Sequence, residues 1–181
     1  MILKKSLRQQ NLILIMKGNN WFKMVAPLLF FIHLSLHSQS VLFIGDSHSV
    51  GPFGKEVDRV LRSKGYTVNT YASCGSISGW WFDKKETKCG YFFKDENGNE
   101  QSGLSVPTPD IVELLKKINP DYIIIALGTN YEPVKDDAFI IKDISKMVDT
   151  VVSYNVKCFW ITHPDSRKFR QEIPRIKELI Y

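Results

Sequence analysis

The chain has 181 residues, 44% of them apolar and 12% aromatic, enough for one ordinary domain with a real core and too apolar for a disordered chain. Its net charge of +5 comes entirely from Lys4, Lys5, Arg8, Lys17 and Lys23, with no acid before residue 41. The remainder carries 19 basic and 19 acidic residues, so it offers no electrostatic footprint for nucleic acid.

The basic opening leads into "KMVAPLLFFIHLSLHSQS", in which Lys23 precedes an apolar run from Val25 to Leu36 and Ser38-Gln39-Ser40 follows. A charged start, a short apolar middle and small residues at the end are the layout of a secretory signal. The run is too short to span a bilayer well. The competing roles are a buried core helix or an uncleaved anchor. Met24 opens the signal-like part, and Met16 is another candidate start. Residues 1–40 are therefore expected to be an N-terminal extension and signal peptide (or anchor), and residues 41–181 the folded domain. The mature chain is expected to be secreted or periplasmic, with no stable membrane span.

The first strand is Val41 to Ile44, running straight into Gly45-Asp46-Ser47-His48. A helix follows, with Phe53, Val57, Val60 and Leu61 on one face and Gly65 as its stop. "YTVNTYA" reads as a second strand from its alternation and β-branching. A long irregular stretch, about Ser73 to Val106, contains "NGN" as well as Trp80, Trp81, Tyr91 and Phe92. Loops of that length are functional or disordered, and the aromatic content argues against disorder.

Thr108 is placed to cap the next helix, with Pro109 in its first turn and Ile111, Leu114, Leu115 and Ile118 on its apolar face. "PDYIIIALGTN" is a continuous apolar run ending in polar residues, which suits a central parallel strand. The next helix covers roughly residues 137–154, with Ile141, Ile144, Val148 and Val151 in phase. "VKCFWITHPDS" is the fourth strand and its exit, and a last helical piece spans roughly Ile173 to Ile180.

Strand and helix alternate throughout, which predicts an α/β domain with a mainly parallel sheet. Three cysteines are present. In an exported chain Cys74 and Cys89, on one polar, Gly-rich excursion, are the natural disulfide pair. Cys158, inside an apolar strand, reads as a small core residue. Their spacing matches no zinc pattern.

Ligand sites in open parallel sheets lie beyond the carboxyl ends of the strands. Those ends are Gly45-Asp46-Ser47, Ser73-Cys74-Gly75, Gly128-Thr129-Asn130 and Thr162-His163. Acyl transfer needs a nucleophile, a base and donors aimed at the developing oxyanion. Ser47 at a tight strand-to-helix turn presents a hydroxyl and its own N–H. Gly75 adds a second N–H, and Asn130 a side-chain amide. The competing structural roles are a helix cap for Ser47, a tight turn for Gly75 and a turn residue for Asn130. Asp46 reads as a structural acceptor for turn N–H groups. Trp80 and Trp81 read equally well as lid packing or as an apolar or sugar-stacking wall. Arg167 and Lys168 read as a solvated face. No GxxxxGK[ST] or GxGxxG occurs to cradle a phosphate.

These three blocks, in order and each at a predicted strand end, resemble the SGNH (GDSL-type) hydrolases over about residues 41–165. The usual leucine after the serine is His48 here. The resemblance implies a flavodoxin-like three-layer α/β/α sandwich. It also implies a serine esterase working through an acyl-serine intermediate, with Ser47 as nucleophile. The Ser47 N–H, Gly75 N–H and Asn130 amide would form the oxyanion hole. No metal or organic cofactor is implied. An ester substrate is implied, with O-acetyl groups of a carbohydrate or cell-wall glycan as one class.

The family's C-terminal DxxH block is missing before Tyr181. Of the four histidines, His33 and His37 fall in the leader, and His48 adjoins Ser47 on a turn, where adjacent side chains diverge. His163, at the exit of the fourth strand with Asp165 nearby, is the candidate base within the chain. The other source is a truncated chain whose base lies beyond Tyr181, leaving it inactive. Two other functions share these residues: an O-acyltransferase that excludes water, and a non-catalytic glycan-binding module.

Overall fold

A computed structural model describes residues 38–161 and 170–181. The leader through His37, together with His163, Asp165, Arg167 and Lys168, lies outside the described residues. In chain order the elements begin with β1 (Ser40–Gly45), α1 (Ser47–Val50), α2 (Pro52–Ser63) and β2 (Thr67–Ser73). They continue with α3 (Trp80–Asp83), β3 (Glu86–Thr87), β4 (Tyr91–Lys94), β5 (Glu100–Gly103) and β6 (Val106–Pro107). The C-terminal half adds α4 (Ile111–Ile118), β7 (Tyr122–Ala126), a 3-10 turn (Thr129–Tyr131), α5 (Asp137–Ser153), β8 (Lys157–Trp160) and α6 (Ile173–Ile180).

The main sheet has the order β5-β4-β2-β1-β7-β8. Strands β2, β1, β7 and β8 are parallel, and β4 and β5 pair antiparallel at one edge. The expected mainly parallel α/β architecture is what forms. On one face, Leu42 and Ile44 of β1 and Ile123 and Ile125 of β7 meet Ile111, Leu114 and Leu115 of α4 and Met147 and Val151 of α5. On the other, α2 lies against β2 through a buried contact of Asp58 with Thr70. Helices thus cover both faces, giving the three layers.

The stretch from Ser73 to Val106 is more regular than its composition suggests. Its "NGN" closes a hairpin between β4 and β5. Asp95 accepts from the Asn97 and Asn99 N–H groups at 3.0 and 2.8 Å, and Gly98 takes a positive φ of 86°. The polar strand β5 is exposed throughout and makes a hydrophilic sheet edge. Cys74 and Cys89 are disulfide-bonded as expected, tying the end of β2 to the approach of this hairpin.

Three expectations need correction. Asp110 rather than Thr108 caps α4, because its carboxylate accepts from the Val112 and Glu113 N–H groups at 2.8 and 3.0 Å. Thr108 is buried two residues earlier. On α2, Phe53 and Val60 are exposed, and the buried positions are Gly54 and Asp58. A paired carboxylate, invisible to hydrophobic periodicity, sits at the centre of that face. On α5, Ile141 is exposed, and Ile140, Ile144, Met147 and Val151 form the buried stripe. Cys158 is half-buried on the edge strand β8 and packs against the core.

Gly54 is needed because a Cβ there would lie 1.9 Å from the Ser49 carbonyl oxygen. That contact is with backbone, so no rotamer change relieves it. Gly54→Ala is expected to destabilise the fold by about 2 kcal/mol, as overpacking does. Equilibrium urea unfolding measures this, and an unchanged midpoint would contradict the close approach of α1 and α2.

Candidate active site

The site is built from three loops over the carboxyl ends of β2, β1 and β7. The register aligns Gly45 of β1 with Ala72 of β2 and with Ala126 of β7. Ser47 is two residues past Gly45, Gly75 three past Ala72, and Asn130 four past Ala126. Adjacent parallel strands therefore deliver all three to one end of the sheet.

Ser47 is the first residue of α1, and it is exposed. The capping role belongs to its neighbour: the buried Asp46 accepts from the His48 N–H at 3.0 Å. This matches the structural role expected of Asp46 and leaves the Ser47 hydroxyl without a hydrogen-bond partner among the described residues. The turn is tight because Gly45 permits it. A Cβ on Gly45 would lie 2.0 Å from the Ser49 hydroxyl oxygen.

Asp46 is 2% exposed, and its carboxyl is pushed up to about 6. Burial is the main cause, with the nearby Glu132 adding to it. The hydrogen bond from the His48 N–H, the charge of His48 and the Thr129 hydroxyl act in the opposite direction. His48 is exposed beside Ser47.

Gly75 has φ +83°, a left-handed conformation that favours glycine. A Cβ there would lie 3.3 Å from the Trp80 ring edge and 3.8 Å from Cys89 Sγ. The disulfide and the indole therefore crowd this turn from two sides. The Thr87 hydroxyl braces it by donating to the Cys74 carbonyl at 2.8 Å. The N–H groups of Ser47 and Gly75 have no acceptor among the described residues. Asn130, in the 3-10 turn after β7, uses Nδ2 to donate to the Ser76 carbonyl at 2.9 Å. One bond thus joins the β7 loop to the β2 loop.

The two tryptophans differ in burial. Trp81 is fully buried in the core and is packing. Trp80 is half-buried beside Gly75, with the Lys85 ammonium 4.6 Å from its ring centroid. Sequence reasoning did not single out Tyr131 or Asp143. Tyr131 directly follows Asn130 and is fully buried, and Asp143 bonds it from α5. Helical phase, with the Asp four residues before the core residue Met147, was the only available signal for Asp143. Among the described residues no group of His, Cys, Asp and Glu could hold a metal ion. Nor is any helix among them long and apolar enough to cross a membrane.

Solved structures of similar shape are known. TesA superposes with a TM-score of 0.50 at 15% identity, over 78% of this chain and 72% of its own. The psychrotrophic esterase EstA from Pseudoalteromonas sp. gives 0.46 at 14% identity, over 78% and 73% of the two chains. AlinE4, an SGNH-hydrolase family esterase, gives 0.43 at 15% identity, over 78% and 72%. No family profile and no curated protein matches the chain. The likeness to TesA is one of fold: this chain is an α/β protein with a central, mainly parallel sheet, similar in fold to TesA.

Proposed function

We propose that the chain is a serine esterase that hydrolyses its substrate through an acyl-serine intermediate. One observation carries this reading: an exposed Ser47 hydroxyl, unbonded among the described residues, just past the end of β1, with Gly75 and Asn130 in the loops that follow the two strands flanking β1. Ser47 attacks the ester carbonyl, and the Ser47 N–H, Gly75 N–H and Asn130 Nδ2 receive the oxyanion. The serine proton passes to a histidine, which returns it to the leaving alcohol. Water then attacks the acyl-serine by the same route in reverse.

His163, three residues past β8, is assigned as that base. The support for it is β8, Lys157–Trp160, which runs parallel to β7 and ends three residues before His163 in the sequence. The substrate is taken to be an O-acylated carbohydrate met outside the cytoplasm. The half-buried Trp80 beside Gly75 supports an aromatic wall, and the Cys74–Cys89 disulfide supports export.

Intact mass after treatment with a fluorophosphonate tests the mechanism. A single adduct is expected on the wild-type chain and none on Ser47→Ala. His163→Ala is expected to lose the adduct as well, and labelling that survives it would reassign the base. A folded wild-type chain that takes up no reagent would overturn the esterase reading.

A further inference from the structure

The segment that leaves Gly75 and the turn that carries Asn130 share a set of partly buried bonds. Asp143 of α5 accepts from the Gly79 N–H at 3.0 Å and from the Tyr131 hydroxyl at 2.5 Å. The Tyr131 oxygen in turn accepts from the Ser78 N–H at 3.0 Å. Asn130 Nδ2, one residue back, holds the Ser76 carbonyl. Residues 76–79 are the segment that leaves Gly75. Two bonds therefore join the Gly75 loop to the Asn130 turn directly, and two more tie both to a single helix carboxylate.

The arrangement is tightly fitted. Tyr131 is 0% exposed, and burial, then the bond to Asp143, hold its phenol far above the usual range, so it remains a hydrogen-bond donor. A Cβ on Gly79 would lie 2.9 Å from Asp143 Oδ1, so a larger residue there would push the carboxylate aside. Tyr131 also packs with Ile140, Ile144 and Ile176, which anchors the phenol ring to α5 and α6.

Oxyanion stabilisation depends on donors held in place before charge develops. Misplacement of about 1 Å can cost on the order of 100-fold in rate. Gly75 and Asn130 come from different loops on either side of β1, so their spacing has to be set by something that spans both. We propose that Asp143 and Tyr131 are positioning residues, a carboxylate–phenol bracket that sets the Gly75 N–H and the Asn130 amide relative to each other. Its consequence for rate rests on the esterase reading above, but the coupling of the two loops does not.

The test uses the full chain with Asp143→Ala, Asp143→Asn and Tyr131→Phe. Asparagine keeps an oxygen able to accept both bonds, and alanine keeps none. Amide NMR signals of Gly75 and of the Asn130 side chain report the coupling without any turnover. They are expected to shift in Asp143→Ala and Tyr131→Phe and to stay near wild type in Asp143→Asn. With p-nitrophenyl acetate, kcat is expected to fall roughly 10–100-fold in Asp143→Ala at little-changed KM. Tyr131→Phe should lose about 10-fold, and Asp143→Asn should stay within about 3-fold.

Unmoved Gly75 and Asn130 signals in a folded Asp143→Ala protein would overturn the bracket, as would wild-type kcat in that variant. A loss that appears in KM rather than kcat would also overturn it. A wild-type chain with no turnover would remove the esterase reading instead, and the NMR signals alone would then decide the bracket.

Discussion

Replacing Asp58 by alanine is expected to cost about 3–5 kcal/mol at neutral pH, the range for breaking a buried ion pair from one side. Its side chain is 1% exposed, and Arg62 Nε and Lys94 Nζ each lie 3.0 Å from Oδ2. The Thr70 hydroxyl donates to Oδ1 at 2.9 Å. Arg62 continues outward to the carbonyls of Val68, Asp95 and Glu96. One carboxylate thus links helix α2, strand β2 and the β4–β5 hairpin. Removing it leaves two cations facing a buried gap. Arg62 and Lys94 are each about a fifth to a quarter exposed, so water relieves part of the penalty, and the lower end of the range is favoured.

The pH dependence follows from the same bonds. Burial raises the Asp58 carboxyl, but the bonds from Arg62, Lys94 and Thr70 outweigh it and hold it below 3.8. A depressed folded value means the stabilisation is present above about 3.8 and is lost as pH falls through the folded value. Urea unfolding of wild type and Asp58→Ala should therefore differ most at pH 7 and converge on acidification. A gap under about 1 kcal/mol at pH 7 would mean the cluster is no better than a surface pair.

Asp58 also shows where sequence patterns stop being informative. A helix face is located by apolar spacing, and Phe53, Val57, Val60 and Leu61 met that pattern. The face that packs is instead centred on a charged residue and a glycine, because paired charge substitutes for apolar burial there. Where burial is purely apolar, as along β1 and β7, the pattern located the strands well. The C-terminal helix, Ile173–Ile180, was also placed correctly. The capping of α4 shifted by two residues because Thr108 and Asp110 both have cap chemistry, and only backbone geometry chooses between them.

The site divides in the same way. The strand ends that carry Ser47, Gly75 and Asn130 were legible because each apolar run stops at a short polar block, and parallel pairing brings such ends together. Tyr131 and Asp143 were not, since their pairing depends on how α5 packs beneath two loops. The excursion after β2 was read as irregular because its strands are short. Each has four residues or fewer, and β5 lacks any apolar alternation.

Asp46→Asn is expected to stabilise the protein at pH 8, by about 1–3 kcal/mol, and to leave it unchanged near pH 4. The sign comes from a carboxyl that is raised rather than lowered, from 3.8 to about 6. A folded state with the higher value binds its proton more tightly, so stability is greatest below 3.8 and falls as pH rises through about 6. The gap corresponds to about 3 kcal/mol once the group is fully ionised. Asparagine removes the charge while keeping an oxygen for the His48 N–H. It gives up the stronger bond that a charged acceptor makes, which is why the gain falls short of the full amount.

Urea unfolding at pH 4, 6 and 8 separates the outcomes. Wild-type stability that stays flat across that range, with Asp46→Asn less stable at pH 8, would mean the cap bond outweighs burial. The position of Asp46 gives the result a further meaning. It immediately precedes Ser47, so the residue that fixes the serine turn is itself buried at an energetic cost. A turn that tolerates an ionised, desolvated carboxylate directly behind an exposed serine gains nothing in stability from it. If the Asn variant is more stable at pH 8 yet takes up fluorophosphonate more slowly at Ser47, the charge at Asp46 is kept for the serine rather than for the fold. Equal uptake would make Asp46 a cap and nothing more.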